Sequence, residues 1–345
     1  MVSWARLNRS RSVSYDYVVS LCFFASLSVV SEDNSQESVA RWLSFVQAFV
    51  EAYEHGERLS GRVTPRNNYS DCPPGFSLRP DQHKDLLVVL CSPHPDDEIL
   101  TGVLPLRLLR EQGARVVNLA VTLGSNVARQ AERWTELLAA CAVVGFDCQR
   151  LSQPVGFELK AGDVGKGWQT VLEGLVDFFA QQQPDLVFFP HAHDAHPAHI
   201  AANRLVSAAL ARWTASCQVT VKAVETEYWS SMSAPNLLIG ISSEELAGLL
   251  AALTCHRGEI ARNPYHLTHP ARLMDTVRRG VELIPSTSLV RPEFLFGELY
   301  RLSVWCHGQN QSSSLSNCCL GPCQGLEKIF VDDVDFLEPP ASGLK

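Results

Sequence analysis

Val88-Val89-Leu90-Cys91 is an apolar run that stops abruptly at Ser92-Pro93-His94-Pro95-Asp96-Asp97-Glu98. A run that is apolar at every position, rather than alternating, is the pattern of a parallel strand covered on both faces. A helical pattern follows at once, with Ile99, Leu100, Val103, Leu104, Leu106 and Leu108 at buried spacings. In open α/β sheets, ligands bind beyond the carboxyl ends of the strands. One imidazole and three carboxylates at such a place point to a metal centre or an acid/base centre.

The rest of the chain repeats the alternation. Apolar runs over 85–91, 115–122 and 185–189, a short one over 148–151 and an alternating one over 219–229 read as strands. Helical patterns span 98–112, 129–144, 168–183, 197–213 and 242–259, the last opened by the capping box Ser242-x-x-Glu245. Pro105 predicts a kink or break near Gly102, and Gly113 and Gly145 read as helix stops. This order predicts an α/β fold: a Rossmann-like, mostly parallel sheet with helices on both faces, joined by right-handed crossovers. The expected organisation is an extension over 1–35, a helix and linker over 36–80, the main domain over 81–305 and a flexible, serine-rich tail over 306–345.

Composition narrows the partners. The 345 residues carry a net charge of −8 with no dense Lys/Arg block, so nucleic acid and anionic membrane surfaces are not expected. The 11 cysteines include no CxxC pair, and Cys91 and Cys141 sit inside apolar runs, so a reduced compartment fits better than a disulfide framework. Arg6, Arg9 and Arg11 precede a mostly apolar stretch from Tyr17 to Val30, too short and too serine-interrupted for a membrane span. It reads either as a signal peptide with a poor cleavage site at Val29-Val30-Ser31 or as an untargeted extension. A cytoplasmic location is the expectation, with export or membrane association through residues 1–31 as the alternative.

Two polar clusters follow strand ends. The first is His94 to Glu98; the second is His191-Ala192-His193-Asp194-Ala195-His196-Pro197-Ala198-His199. Neighbouring parallel strands lie about 4.8 Å apart, so both clusters can share one crevice. His94 with Asp97, and His196 with His199, stand three residues apart and can face one point, while Asp96 is free to act as a base. Taken singly, each has a plainer reading: an acid at a helix start is often a cap, and a loop histidine is often at the surface. Together they are costly to desolvate without a cation, and a His–carboxylate–His set suits Zn²⁺. His256, His266 and His269, further on, read as structural or rim residues; Trp229, Met232 and Asn236 read as neighbours of the pocket mouth, with apolar packing the plainer reading of Trp229 and Met232.

PHPDDE after a buried strand, VTLGSNVARQAERWTELLAAC and HPAH opening a helix resemble the PIG-L/LmbE-type family of zinc-dependent N-acetylglucosamine deacetylases. The resemblance runs on through ETEYWSSMSAPNLL, HRGEIARNPYHL and RRGVELIPSTSLVRPEFLFGELYRL, over roughly residues 85–303, and these later blocks resemble a bacterial branch. It implies His94, Asp97 and His199 as ligands of one Zn²⁺ per chain, with Fe²⁺ or another divalent metal admissible. It implies Asp96 as general base, His196 as the imidazole that stabilises the oxyanion or helps protonate the leaving amine, and Arg133, in an RxxE element with Glu136, as a substrate contact. Glu98 is left to support the helix or the ligands, and Asp194 either orients His196 or His199 or caps the following helix. The implied reaction is removal of an acetyl group from an N-acetylglucosamine-type sugar or its conjugate. The alternatives are an amidase for another acylated amine or thiol conjugate, and a non-catalytic sugar-binding protein. One departure stands out: the family often has an acid before the final His, and this chain has Ala198.

Overall fold

The computed structural model describes residues 32–60, 86–154, 157–160, 162, 164–284, 292–311 and 317–330. The segment 1–31, read for targeting, and nearly all of the expected linker lie outside them. Among the described residues, no helix is long and apolar enough to cross a membrane.

The strands are β1 (Leu87–Ser92), β2 (Arg115–Ala120), β3 (Asp147–Arg150), β4 (Leu186–Pro190), β5 (Thr220–Thr226), β6 (Leu237–Ile241), β7 (Phe296–Cys306), β8 (Gln309–Gln311) and β9 (Cys318–Leu320). They form one nine-stranded sheet in the order β3-β2-β1-β4-β5-β7-β6-β9, with β8 beside β7. The β3-β2-β1-β4-β5 half is parallel throughout, as expected, and β7 runs antiparallel to both β5 and β6. β1 is the hinge of the order: the chain goes outward through β2 and β3, then returns to β4 on the other side. That reversal is the switch point at which open sheets leave a crevice. β1 and β4 are buried along their whole length, which their uninterrupted apolar runs require.

The helices are α1 (Glu32–Leu59), α2 (Asp97–Leu100), α3 (Val103–Gln112), α4 (Gln130–Val144), α5 (Lys166–Gln182), α6 (Pro197–Cys217), α7 (Ser243–Leu253), α8 (Arg257–Arg262) and α9 (His269–Leu283). α5 and α6 cover one face of the parallel half, where Val171, Leu175, Phe179, Leu205 and Trp213 meet Val89, Val117 and Val187. α3, α4 and α7 cover the other, where Leu104, Leu137 and Leu250 meet Val88, Val116 and Leu186. α1 packs outside α7 and buries Val46 and Val50, so it belongs to the domain.

Two readings of the sequence are corrected, and a third, the break expected near Gly102, is present: residues 98–112 form two helices separated at Thr101-Gly102. A Cβ on Gly102 would stand 2.9 Å from Leu249 Cδ2 and 3.1 Å from the Glu98 carbonyl, so a side chain there would crowd the α7 contact. The orphan N–H groups of Val103 and Leu104 donate instead to Glu298 Oε2 and Tyr300 Oη of β7, and Pro105 falls in the first turn, where it is tolerated. The helix expected over 242–259 ends at Leu253, and α8 restarts at Arg257 after His256 turns inward. The flexible tail expected from residue 306 is ordered where it is described. β9 runs parallel to β6, with Leu320, Leu326 and Ile329 buried. The fully buried Arg107 reaches over from α3 to the carbonyls of Gly321 and Gln324 at 3.0 and 2.7 Å.

Candidate metal centre

β1 and β4 are hydrogen-bonded neighbours, with Leu90 opposite Phe188, so the loops that leave their carboxyl ends meet. The first loop brings His94 and the acids up to Glu98. The second brings His191 to His199, and His196 opens α6 with Pro197 as the first helical residue. The expected convergence is present. Asp97 Oδ2 stands 3.4 Å from His94 Nδ1 and 3.4 Å from His199 Nε2, and it also accepts the His94 backbone N–H at 2.9 Å. His94, His196 and His199 each offer a ring nitrogen within 4.8 Å of the others. Three imidazoles therefore face one point, and Asp97 stands against two of them.

The donors fit a cation. His199 is completely buried, and neither of its ring nitrogens has a hydrogen-bond partner among the described residues. A buried imidazole left so is costly, and a divalent ion is one of few groups that would satisfy the nitrogen facing Asp97 and His94. Its other nitrogen, Nδ1, faces Asp194 Oδ1 at 3.7 Å, an acid behind a ligand as metal-binding histidines commonly have. Burial alone would raise Asp97, but the imidazoles of His199 and His94 hold it well below the usual carboxylate range. Burial would likewise lower His199, yet Asp97 and Asp194 bring it above the ordinary histidine value.

Asp194 is a hub. Its carboxylate accepts the N–H groups of His196 at 2.8 Å and Trp229 at 3.1 Å. It thereby ties the β4 loop to the segment after β5, which Ser230 fastens again through His193 O and His191 Nε2. With Ala198 at the position where an acid is often found, Asp194 is the carboxylate that lies behind His199. His196 Nδ1 accepts the Ala198 N–H at 3.3 Å, so the neutral ring carries its proton on Nε2. Burial, then the neighbouring His94 and His199, lowers the His196 pKa. Trp229 stacks beside this ring, at 6.3 Å between centroids, and is 56% exposed at the mouth.

Asp96, the buried residue before Asp97, is held apart from these contacts. Its backbone is left-handed, φ 112°, a conformation few non-glycine residues adopt. Burial, together with the charge of Asp97, pushes its carboxyl up to about 8. Glu98 accepts the Asp96 N–H at 2.9 Å and the Nε2–H of buried His256 at 2.7 Å. The Tyr265 hydroxyl donates to Asp96 Oδ2. Sequence reasoning put His256 among structural or rim residues and passed over Tyr265. Arg133 donates to the carbonyls of Pro95 and Leu123 at 3.1 and 3.3 Å and pairs with Glu259 at 3.3 Å, whereas Glu136 takes Arg129 and the Gly258 N–H. The plain Arg133–Glu136 helix-face pair is thus replaced by contacts that brace the Pro95 turn.

Residues 89–210, which include both loops, match the PIG-L family, described as GlcNAc-PI de-N-acetylase. No curated protein matches the chain. Among solved structures it is similar to the N,N'-diacetylchitobiose deacetylase of Pyrococcus horikoshii, at 18% identity over 66% of this chain and 87% of that one, with a TM-score of 0.47. It is also similar to a conserved protein of Thermus thermophilus, at 23% identity over 63% of this chain and 93% of that one, TM-score 0.47. A third is the 4-carboxy-2-hydroxymuconate hydratase GalB of Pseudomonas putida, at 17% identity over 63% and 95%, TM-score 0.46. The PIG-L match ends within α6, so Trp229, His256 and Tyr265 are contributed from beyond it.

Proposed function

We propose that this PIG-L-domain protein is a metal-dependent N-deacetylase that releases acetate from an N-acetylglucosamine-type amino sugar or its conjugate. The observation that carries the reading is the convergence of His94, Asp97 and His199, with the His196 ring beside both histidines and the buried Asp96 next to Asp97 in the chain. His94, Asp97 and His199 would hold the ion, Zn²⁺ or another divalent metal. When bound there, the ion supplies Lewis acidity toward an amide carbonyl and toward water.

The remaining work belongs to the chain. Asp96 takes the proton of the water that adds to the amide carbon. His196 presents its Nε2–H to the oxygen on which negative charge develops. The C–N bond then breaks, the nitrogen takes up the proton and leaves as the free amine, and acetate remains. Asp194 keeps His199 in place, and Arg133, through Pro95, keeps the turn that carries Asp96 against α4.

Two variants test this. Asp96→Asn should keep its metal and lose about 10²–10⁴-fold in turnover; unchanged turnover removes Asp96 as base. His196→Ala should also keep its metal while turnover falls. Loss of metal from His196→Ala would instead establish the three histidines as the ligand set, in place of the set containing Asp97.

A further inference from the structure

The segment from His256 to Leu267 lies outside the PIG-L match, yet it grips Asp96 twice. One arm is backbone: His256 Nε2–H to Glu98 Oε1, then Glu98 Oε2 to the Asp96 N–H, at 2.7 and 2.9 Å. Glu98 and His256 are both inaccessible to solvent, so this arm is shielded from competing water. The other arm is the Tyr265 hydroxyl on Asp96 Oδ2.

Both arms start from one braced unit. The Gly258 N–H, at the start of α8, donates to Glu136 Oε1 of α4 at 2.9 Å. Glu259 pairs with Arg129 and Arg133 at 3.3 Å each, and Arg133 returns to the carbonyl of Pro95, the residue before Asp96. The loop is closed: α4 holds α8, α8 holds Asp96 and its turn, and the turn holds α4. Such bracing fits the strain it has to contain, because a non-glycine residue at φ 112° persists only where its surroundings over-determine it.

We infer that Tyr265 is a positioning residue for the reaction: its hydroxyl fixes one oxygen of Asp96 and so aims the other, Oδ1, at the reacting water, while His256 through Glu98 fixes the backbone from which Asp96 projects. The inference rests on Asp96 being the base. A carboxylate on a single Cβ can rotate about its Cα–Cβ bond, and a hydroxyl on one oxygen removes that freedom. Neither His256 nor Tyr265 touches the ligand cluster His94–Asp97–His199 through any of these bonds, so their effect should fall on turnover and leave metal binding alone.

The test is a double-mutant cycle on the metal-loaded full chain, with acetate release from N-acetylglucosamine as the readout. Tyr265→Phe removes only the hydroxyl. It should retain the metal content of the natural chain, keep KM within about twofold and lower kcat about 10-fold, since small misplacement of a reacting group costs rate rather than affinity. In the Asp96→Asn background the same substitution should cost nothing more, because a residue that acts through Asp96 has nothing left to position. A natural kcat in Tyr265→Phe overturns the inference, and so does its loss of metal. A loss that multiplies with that of Asp96→Asn also overturns it, by placing Tyr265 on the substrate instead. Unchanged turnover in Asp96→Asn alone is a separate outcome, which removes the base and not the clamp.

Discussion

Replacing Asp194 by Asn separates orientation from ligation under the proposed function, because Asp194 stands behind His199, a ligand in that proposal. Its side chain is completely buried and receives two backbone N–H groups, from His196 and Trp229. Hydrogen bonds to a charged group contribute about 1.5–3 kcal/mol each. Asn keeps one accepting oxygen and turns an NH₂ toward the other donor, so roughly one of these bonds is lost and about 2–3 kcal/mol of stability with it. For a chain of this size that is a fall in Tm of roughly 3–4 °C. The more telling effect is on the metal. The carboxylate 3.7 Å from His199 Nδ1 sets the orientation of that ring, and loss of such a partner weakens metal binding about 10–100-fold. Competition against a chromogenic chelator measures this directly. Natural metal affinity in a folded Asp194→Asn would refute the role of Asp194 behind His199 and leave the missing acid at Ala198 without a substitute.

Arg107→Met should leave Glu111 and the carbonyls of Gly240, Gly321 and Gln324 unpaired in the core, at a cost of about 3–5 kcal/mol, and hydrogen exchange should open residues 317–330 first. His269 is buried, and burial, then Arg272, lowers its pKa to about 3. The folded state therefore keeps it neutral while the unfolded chain protonates near pH 6.5, so its contribution is complete above that pH and is lost as pH falls toward 3. Between pH 7 and pH 5 this amounts to about 2 kcal/mol, and melting curves of His269→Leu should lack that part of the acid sensitivity. Trp229→Ala should raise KM for acetamido sugars about 3–10-fold with kcat nearly unchanged, and Trp229→Phe should restore it; an unchanged KM removes the exposed ring from substrate binding.

The parallel half of the fold was legible because burial on both faces writes itself into sequence as uninterrupted runs such as Val88–Cys91 and Leu186–Phe189. The break at Gly102 was foreshadowed by Pro105, but its cause was not: the caps on Val103 and Leu104 come from Glu298 and Tyr300, far along the chain. The antiparallel half escaped for a similar reason. β9 is three residues, Cys318–Leu320, in a serine-rich stretch, and only pairing with β6 and the buried Arg107 give it order. In the site, the meeting of His94, Asp97, His196 and His199 is local to two motifs and could be read from their spacing. The grip on Asp96 is not. His256 and Tyr265 carry no local pattern of catalysis, and the one available signal was that HRGEIARNPYHL shared in the family resemblance. Arg133 was expected at the substrate or in an ion pair with Glu136, and the structure places it against Pro95, Leu123 and Glu259.

If the two loops at the ends of β1 and β4 make one metal centre that hydrolyses an acetamide, metal content and turnover must rise and fall together. The direct measurement is to strip the purified chain with a chelator, reload it with Zn²⁺ or Fe²⁺, and quantify metal content and acetate release from N-acetylglucosamine and its conjugates. The expected result is one ion per chain, acetate release only after reloading, and its loss in Asp96→Asn. A chain that takes up no metal, or one that holds metal and releases acetate from none of these sugars, contradicts the proposed function.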